Sequence, residues 1–489
     1  MNKILTIPLL ITLLLLSFTG CAVNPVTGQQ DIVLMSEQDE ISLGRKTNQQ
    51  VLQQYALYDN QQLQDYVQQV GQKLAARSHR SDLVYRFSVL DSKEVNAFAL
   101  PGGYIYITRG LMSYLNSEAE LAAVLGHEIG HVTARHSVRQ YSATQLASIG
   151  ATLGALFIPG MGTSTGNQLV NLFGTALLRG YGREHELEAD HLGAEYLARS
   201  GYQASAMLDV IRVLKNQEQF EIKAAQAEGR DPNIYHGLFS THPDNDTRLK
   251  EVIAAAEKYQ GAESNYIGKG TYLEQIDGMV FGDSAKEGIT RGRNFYHPDL
   301  GFALQLPENW NVTNKPSQLI ITAPGGAAIM QVGVDDINKR ISPKEFMQTR
   351  LQLKDLSNDS PLNINGNEAH TGLSTVNTGS GKRTARFTVI YFNDRAYIIA
   401  GVARDINNAS RYDQEFLTTA QSFHAMTSKE RQAAQPLRLK VIQADAGTRF
   451  GDLARSSPLE TYPEEQLRLL NALFPQGEIQ PGMVLKTIE

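Results

Sequence analysis

One segment constrains the fold of this 489-residue chain more than any other. Residues 116–136 read NSEAELAAVLGHEIGHVTARH, an apolar and Ala-rich run that contains three histidines. Ser117 and Glu120 have the spacing of a capping box, which marks the start of a helix. Leucine and valine then recur at helical intervals, so we predict a helix over 118–140. The alternative to a metal site on this segment is an ordinary buried helix.

Two of these histidines have the spacing of metal ligands. His127 and His131 lie four positions apart, so on a helix they share one face. Two imidazoles one turn apart reach a single ion at about 2.0–2.1 Å, and Glu128 beside them reaches a metal-bound water. This is the His-Glu-x-x-His zinc signature. His136 is about 140° around the helix from His131, so we expect a solvated or structural role for it.

A catalytic zinc site also needs a third protein ligand. Residues 181–201, YGREHELEADHLGAEYLARSG, predict a second helix that ends at a glycine. Glu186 and Asp190 lie on one side of it. We predict Glu186 as the third ligand and Asp190 as the acceptor for the far nitrogen of a ligating histidine. The alternative is an acidic solvated helix face, with three further glutamates: Glu184, Glu188 and Glu195.

The composition is that of a globular protein, with 42% hydrophobic and 20% charged residues. The net charge of -6 gives no reason to expect a nucleic-acid partner. Cys21 is the only cysteine, which excludes an intramolecular disulfide. A zinc ion would therefore be held by histidine and carboxylate alone.

The N-terminal segment predicts a secretory signal. Lys3 precedes an apolar run over 4–18 that is too short to favour a membrane span. Cys21 follows two small residues in SFTGCAVNP, which resembles a bacterial lipobox. The resemblance implies that residues 1–20 are a lipoprotein signal peptide and that a lipid on Cys21 anchors the protein to the outer membrane, facing the periplasm. The alternative is a plain signal peptide followed by an incidental cysteine.

Four blocks in order resemble one metallopeptidase family: NAFALPGGYIYITRGLM, LAAVLGHEIGHVTARHS, REHELEADHLG and FSTHPDNDTRL. It is the zinc metallopeptidase family of HtpX and the CAAX-prenyl protease, family forty-eight, of gluzincin type. The segment CAVNPVTGQQDIVLMSEQDEISLG resembles its periplasmic and lipoprotein branch, which includes BepA and LoiP. The implied fold class is α+β, with a mainly helical zincin (minigluzincin) protease domain and a small sheet over 21–262.

The resemblance implies a role for each matching residue. One zinc ion per chain would be held by His127, His131 and Glu186, with Glu128 as general base and Asp190 in support of a ligand histidine. His242 and Arg248, in STHPDNDTR, would also be catalytic. His242 is a fourth ligand that keeps the enzyme latent, a donor to the transition state, or an ordinary loop histidine. The turn-forming residues after it favour a movable latch.

The resemblance also implies how a substrate binds. In the family the segment YIYIT is an edge strand that pairs with substrate backbone, so Tyr104, Ile105 and Tyr106 are predicted to bind an extended peptide. The alternative is a core strand. Residues 147–178 are apolar yet Gly-rich. They predict a buried helical hairpin or, from the resemblance, a mobile plug over the cleft.

The C-terminal half predicts two further domains. A linker is expected over 263–297, and an α+β accessory domain over 298–428 with helices near 342–356 and 411–423. This domain loosely resembles a Mog1/PsbP-type fold, whereas BepA has tetratricopeptide repeats at this place. Residues 436–489 resemble a LysM module, which implies contact with peptidoglycan. The alternative is a small βααβ accessory domain.

The predicted function is a zinc-dependent endopeptidase of the bacterial cell envelope that cleaves misfolded or stalled envelope proteins in protein quality control. The alternative is a latent zinc-bound scaffold or chaperone that binds envelope proteins or peptidoglycan with little proteolysis. The expected partners are unfolded or misfolded envelope proteins, the membrane through Cys21, and peptidoglycan, but no nucleic acid.

Overall fold

The computed structural model describes residues 21–143, 181–229, 232, 265–315, 318–353, 355–378 and 381–489. The chain divides into two compact units. Unit 1 comprises Met1–Phe281 and Arg438–Glu489, and unit 2 comprises Gly282–Leu437. In chain order, unit 2 is therefore an insertion between the two parts of unit 1.

The described residues are mixed α+β, as the sequence predicts. The helices are α1 Glu37–Gln54, α2 Gln61–Ala75, α3 Arg109–Tyr114, α4 Glu118–Thr133, α5 Arg183–Arg199, α6 Ala206–Glu228, α7 Lys269–Ile276, α8 Pro343–Thr349, α9 Ala409–Gln421, α10 Ser428–Ala433, α11 Phe450–Ser456 and α12 Pro463–Leu470. The strands are β1 Cys21–Val23, β2 Gln30–Ile32, β3 Arg86–Leu90, β4 Ala97–Leu100, β5 Tyr104–Thr108, β6 Val280–Phe281, β7 Ile289–Arg291, β8 Asn294–His297, β9 Phe302–Gln305, β10 Asn311–Lys315, β11 Gln318–Thr322, β12 Ala328–Asp336, β13 Ser357–Ile364, β14 Asn367–Thr378, β15 Gly381–Phe392, β16 Arg395–Ala403, β17 His424–Ala425, β18 Leu437–Gln443 and β19 Val484–Ile488.

Helix α4 lies at the centre of unit 1, and every residue in it is buried. It packs against α2, α5 and α6 and against the small sheet of β3, β4 and β5. At its start the Ser117 hydroxyl accepts a hydrogen bond from the Glu120 amide at 3.2 Å. The Glu120 carboxylate accepts from the amide of Asn116 at 2.8 Å. The predicted polar residues thus satisfy backbone amides at the start of a buried helix.

Strand β5 is the central strand of this sheet. It runs parallel to β3 and antiparallel to β4, so both of its edges are paired. The prediction that Tyr104, Ile105 and Tyr106 form an edge strand is therefore wrong, and their predicted substrate-binding role rested on it. An alternating apolar pattern predicts a strand but carries no information about strand order. In the described sheet, β4 is an outer strand next to α4.

The predicted helix over 118–140 is interrupted. Helix α4 ends before Arg135, whose backbone takes the left-handed conformation with φ 55°, and residues 136–143 form a separate helix. Arg135 Nε donates to the buried Glu40 carboxylate at 2.9 Å. Arg80 donates to the other oxygen of Glu40 at 2.8 Å. This buried ion network ties α1 to the end of α4 and stabilises the bend.

The C-terminal segment has the order β18, α11, α12, β19, and β18 pairs antiparallel with β19. In the described sheet the strand order is β19–β18–β6. Lys486 on β19 is fully buried. Its Nζ donates to the carbonyl oxygens of Ser113 and Leu115, each at 2.7 Å. The βααβ arrangement is compatible with both predicted alternatives, and the identity of this module as LysM stays a prediction.

The segment predicted as a linker, residues 263–297, contains ordered elements. It includes α7 and strands β6, β7 and β8. Tyr272 on α7 is fully buried, and its hydroxyl donates to the carbonyl of Met112 at 2.6 Å. These elements were not predicted from the sequence, because short helices and strands between Gly and Asp residues have the composition of a linker.

Unit 2 contains two antiparallel sheets. One has the strand order β10–β11–β12–β16–β15–β14–β13, and the other β17–β9–β8–β7. The core is rich in aromatic rings, among which Phe302, Tyr397 and Phe423 lie with centroids about 5 Å apart. The two predicted helices correspond to α8 and α9. Helix α8 is shorter than predicted, and α9 begins and ends two residues earlier than predicted.

Some predictions fall on residues that the structure does not describe. They are the hairpin or plug over 147–178, the loop with His242 and Arg248, and the signal peptide over 1–20. Within the described ranges, no helix combines the length and the apolar character needed to cross a membrane.

Candidate metal centre

Helices α4 and α5 bring three ligand-type side chains together inside unit 1. The Nε2 atoms of His127 and His131 lie 2.9 Å apart. Carboxylate oxygens of Glu186 lie 3.6 Å from His127 Nε2 and 3.5 Å from His131 Nε2. All three side chains are buried. The ligand set predicted from sequence therefore converges on one point.

The geometry fits a small divalent cation. Around a tetrahedral ion with ligands at about 2.0–2.1 Å, neighbouring ligand atoms are roughly 3.3–3.4 Å apart. The observed separations of 2.9, 3.5 and 3.6 Å bracket this value. Glu186 and Asp190 are both fully buried. Buried carboxylates require a compensating charge, which a cation between Glu186 and the two imidazoles supplies.

Small residues let the two helices approach closely enough for this contact. A Cβ added to Gly126 would lie 3.3 Å from the carbonyl oxygen of Gly193. A Cβ added to Gly130 would lie 2.9 Å from the carbonyl oxygen of Ala189. Because the helix backbones touch at these points, the short glutamate side chain on α5 reaches the histidines on α4.

Asp190 lies where the sequence predicts it, beside a ligand histidine. Its carboxylate is 2.7 Å from His127 Nδ1. Because a carboxylate only accepts, the proton of the His127 ring is on Nδ1, and the Nε2 lone pair is left for a metal. Glu186 and Asp190, one turn apart on α5, thus contact the same imidazole from its two sides.

The second histidine has a different partner. His131 Nδ1 lies 2.8 Å from Nδ1 of His136, which is fully buried. His136 Nε2 lies 3.0 Å from the carboxylate of Glu188, to which Arg139 also donates at 2.8 Å. Burial alone would raise the pKa of Glu188, but the hydrogen bonds from His136 and Arg139 lower that pKa to about 2. Glu188 is therefore a carboxylate at neutral pH.

Glu128 and Tyr181 form part of the wall of the centre. Glu128 is only 1% exposed and lies between the two histidines on α4. The ring of Tyr181 stacks on His131, with centroids 4.1 Å apart and an interplanar angle of 18°. Its hydroxyl lies 2.6 Å from Ser137 Oγ. Burial, together with the Glu128 and Glu186 carboxylates, raises the pKa of Tyr181, so its phenol stays neutral.

The structure thus brings together four predicted residues, His127, His131, Glu186 and Asp190, and Glu128 lies on the same helix as the two histidines. Tyr104, Ile105 and Tyr106 lie on the central strand β5. Cys21 begins β1 and pairs with Ile32 of β2. His242 and Arg248 lie outside the described residues, so their roles stay predictions.

Glu188 and Tyr181 escaped the sequence analysis, and the contact of His136 with His131 was not predicted. His136 was assigned to another face of a continuous helix, and the bend at Arg135 removes that premise. Glu188 had the appearance of one more solvated acid on α5. Tyr181 precedes α5, and a single aromatic residue before a helix carries no periodic signal.

Two histidines from a His-Glu-x-x-His helix and a glutamate from a second helix are the ligand set of a metallopeptidase. The comparison with known families agrees. Residues 61–256 match the model of peptidase family M48, so the chain carries a peptidase family M48 domain. This match supports a metalloprotease.

The chain is similar to two proteins with protease names. The beta-barrel assembly-enhancing protease of Escherichia coli (strain K12) is 27% identical over 328 residues, which are 62% of this chain and 64% of that protein. The mitochondrial metalloendopeptidase OMA1 of Arabidopsis thaliana is 34% identical over 146 residues, which are 29% of this chain and 28% of that protein. The similarity therefore spans less than two thirds of either relative.

A solved structure also resembles part of the chain. The solution structure of cyanobacterial PsbP from Synechocystis sp. PCC 6803 is 16% identical, covers 30% of this chain and 98% of its own, and has a TM-score of 0.23. A likeness at this score decides nothing, and the Mog1/PsbP-like fold of residues 298–428 stays a prediction.

Proposed function

We propose that this protein is a zinc-dependent endopeptidase of the bacterial cell envelope that hydrolyses misfolded or stalled envelope proteins. One observation carries the proposal. His127, His131 and Glu186 converge in the interior of unit 1, with Glu128 on the same helix as the histidines. Two imidazoles and one carboxylate leave a fourth position open, which is the arrangement of catalytic rather than structural zinc sites.

Zinc held by His127, His131 and Glu186 would supply Lewis-acid chemistry, which favours deprotonation of a water and polarises a peptide carbonyl. Glu128 takes the proton of the attacking water and then delivers it to the leaving amine. Asp190 and His136 hold the two ligand imidazoles through their Nδ1 atoms. Glu128 is buried, so little water is present to screen the electrostatic interactions between its carboxylate and the reacting groups.

We propose β4 as the strand that binds the substrate. As the outer strand of the described sheet, it has backbone groups on one side that β5 does not pair. Ala99 and Leu100 of β4 also line, with His131 and Tyr181, a small cavity beside the centre. Pairing through backbone groups tolerates many sequences, which suits substrates that share an unfolded state rather than a sequence motif.

The envelope assignment rests on two supports. One is the Escherichia coli relative, whose name refers to β-barrel assembly. The other is the lipobox-like sequence before Cys21, through which we propose that a lipid anchors the protein to the outer membrane. Peptidoglycan contact through residues 436–489 belongs to the same proposal.

One observation favours the alternative, a latent zinc-bound scaffold. Glu128 and His131 are 1% and 2% exposed, so a peptide does not reach them in this conformation. A protein held in this state would bind envelope proteins and cleave little. His242 is the residue that we predict to act as a latch in such a state.

The first experiment compares wild-type protein with Glu128→Gln. Casein turnover is measured beside zinc content by elemental analysis. We expect turnover to fall by about 10²–10⁴-fold with zinc retained, because the general base is lost while the ligands remain. Glu184→Gln, a change at an exposed acid on α5, should leave both values unchanged.

The outcomes separate the two functions. Wild-type turnover that Glu128→Gln abolishes supports the endopeptidase. A wild type that holds one zinc per chain but cleaves no more casein than Glu128→Gln favours the scaffold. Equal and substantial turnover by both proteins would show that Glu128 is not the base.

A further inference from the structure

The two predicted histidine ligands are held in unequal ways. A ligand histidine needs a partner for its second ring nitrogen, and that partner is usually a carboxylate or a backbone carbonyl. His127 has the carboxylate of Asp190 at 2.7 Å. His131 instead has Nδ1 of a third histidine, His136, at 2.8 Å. A neutral imidazole nitrogen either donates or accepts, so this contact has two possible polarities.

The polarity decides whether His131 is able to bind a metal. If His131 Nδ1 carries the proton and donates it to His136, then His131 Nε2 presents a lone pair towards Glu186. If His136 Nδ1 is the donor, the proton of His131 lies on Nε2 and points into the ligand cluster. A protonated Nε2 has no lone pair for a metal, so the second polarity disables the site.

Glu188 selects the first polarity. Its carboxylate lies 3.0 Å from His136 Nε2 and only accepts, so the proton of a neutral His136 is on Nε2. His136 Nδ1 is then an acceptor and takes the proton of His131 Nδ1. Arg139 donates to the same Glu188 oxygen at 2.8 Å and holds the carboxylate in place.

The bend at Arg135 makes this contact possible. On a continuous helix a residue five positions after His131 is rotated by about 140° and faces away. The left-handed backbone of Arg135, with φ 55°, reverses that direction and brings His136 back to His131. Arg135 is held in turn by Glu40 at 2.9 Å and by the carbonyl of Met35 at 3.2 Å.

We infer that His136 is a positioning residue for the metal ligand His131, and that Glu188 sets the His136 tautomer that keeps His131 competent to bind the metal. This inference rests on the proposed metal site. It goes beyond it because it assigns a role to two residues that are neither ligands nor catalytic. Their contribution is to metal affinity, because Glu188 acts through His136, and His136 acts through the ligand His131.

The test measures the zinc dissociation constant of the full chain by competition with a chromogenic chelator. His136→Phe keeps the ring and removes the acceptor. His136→Asn retains an acceptor oxygen close to the position of Nδ1. His185→Phe is the matched control, because the His185 ring stacks on His136 with centroids 4.3 Å apart. The unfolding temperature of each zinc-free protein is measured in parallel.

We expect His136→Phe to weaken zinc binding by about 10–100-fold, as other losses of a ligand's hydrogen-bond partner do. His136→Asn should stay within about threefold of the wild type, and His185→Phe should bind as the wild type does. In Glu188→Gln the side chain both accepts and donates, so it no longer restricts His136 to one tautomer. This variant should weaken zinc binding by roughly 3–10-fold.

Two results would overturn the inference. One is wild-type zinc affinity in folded His136→Phe, which would mean that His136 only fills space. The other is an equal loss in folded His136→Asn and His136→Phe. If His136→Phe does not fold, wild-type affinity in Glu188→Gln refutes the tautomer role by itself. Absence of zinc from the wild type refutes the metal site, whereas a zinc-loaded wild type without proteolysis refutes only the proposed activity.

Discussion

The two units differ in what their interiors contain. Unit 1 buries many ionisable side chains: Glu40, Arg80, Asp91, Arg109, Glu118, Glu120, Glu128, Arg135, Glu186, Asp190 and Lys486. The core of unit 2 is built largely from aromatic and aliphatic residues, such as Phe302, Trp310, Tyr397 and Phe423. Its ion pairs include exposed ones, for example Arg350 with Asp335.

Buried charge is costly unless it is paired, and it is retained where it serves chemistry or fixes an arrangement. In unit 1 the charged network surrounds α4 from several sides and holds its ends and its ligands. In unit 2 apolar packing dominates the core, and a buried charge such as Arg386 has its own carboxylate partner, Asp413. The comparison therefore places the chemistry of this chain in unit 1 and predicts that substitutions in the two units have separable effects.

The largest expected effect is loss of the metal from unit 1. Glu186→Ala removes one of the three proposed ligands, and we expect zinc affinity to fall by more than about 100-fold. Elemental analysis after dialysis measures the effect. Glu184→Ala, at an exposed position on the same helix, is the control. Full zinc occupancy in Glu186→Ala would remove Glu186 from the ligand set.

The next effect concerns the core of unit 2. Phe423 is fully buried and stacks on Phe302 at 4.9 Å between centroids. Phe423→Ala should lower the free energy of unfolding of unit 2 by about 3–5 kcal/mol. Ile406→Ala, at a residue 65% exposed, should change it by no more than about 0.5 kcal/mol. Chemical denaturation with zinc content as a second readout is the measurement, and zinc loss in Phe423→Ala would contradict separable units.

A third change asks whether the C-terminal segment stabilises unit 1. Lys486→Met removes the donor to the carbonyls of Ser113 and Leu115 and leaves both buried. We expect a loss of about 2–4 kcal/mol in the unfolding free energy of unit 1. Lys440→Met, on the neighbouring strand β18 and at a half-exposed side chain, is the control. An unchanged stability would show that the segment is an accessory rather than part of unit 1.

The smallest effect is a pH dependence in unit 2. Burial lowers the pKa of His297 from 6.5 to about 4, although Asp299 nearby opposes this. The unfolded chain therefore binds this proton first, and stability from His297 is lost as the pH falls from about 6.5 to 4. We expect the free energy of unfolding of His297→Gln to fall by about 1–3 kcal/mol less over this range than that of the wild type. Denaturation at several pH values measures this difference.

His424 provides the control for this pH series. Hydrogen bonds to the Ser422 carbonyl and to Glu430 outweigh its partial burial and raise the pKa of His424. Its contribution therefore has the opposite sign, and His424→Gln should not reduce the acid sensitivity. Identical pH profiles for the wild type and His297→Gln would contradict the assignment to His297.

Much of the metal centre was predictable because its signals are local. Candidate ligands on a helix have a spacing set by 3.6 residues per turn, so His127 and His131 were predicted from their spacing, and Glu186 from its pairing with them. Asp190 followed from the same arithmetic. Strand order and the bend at Arg135 were not predictable, because they depend on side chains that are distant in sequence, such as Glu40.

By itself, the sequence determined the two helices that carry the candidate ligands, the residue types of a possible metal site and the α+β class, because these are encoded in periodicity and in the chemistry of single residues. The tertiary structure decided that β5 is central and β4 is an outer strand, that the C-terminal segment joins unit 1, and that His136 turns back to His131. The physical reason is that each of these depends on pairing between distant segments. A buried lysine on β19 or a glutamate on α1 acquires its role only when folding brings its partner within hydrogen-bond distance.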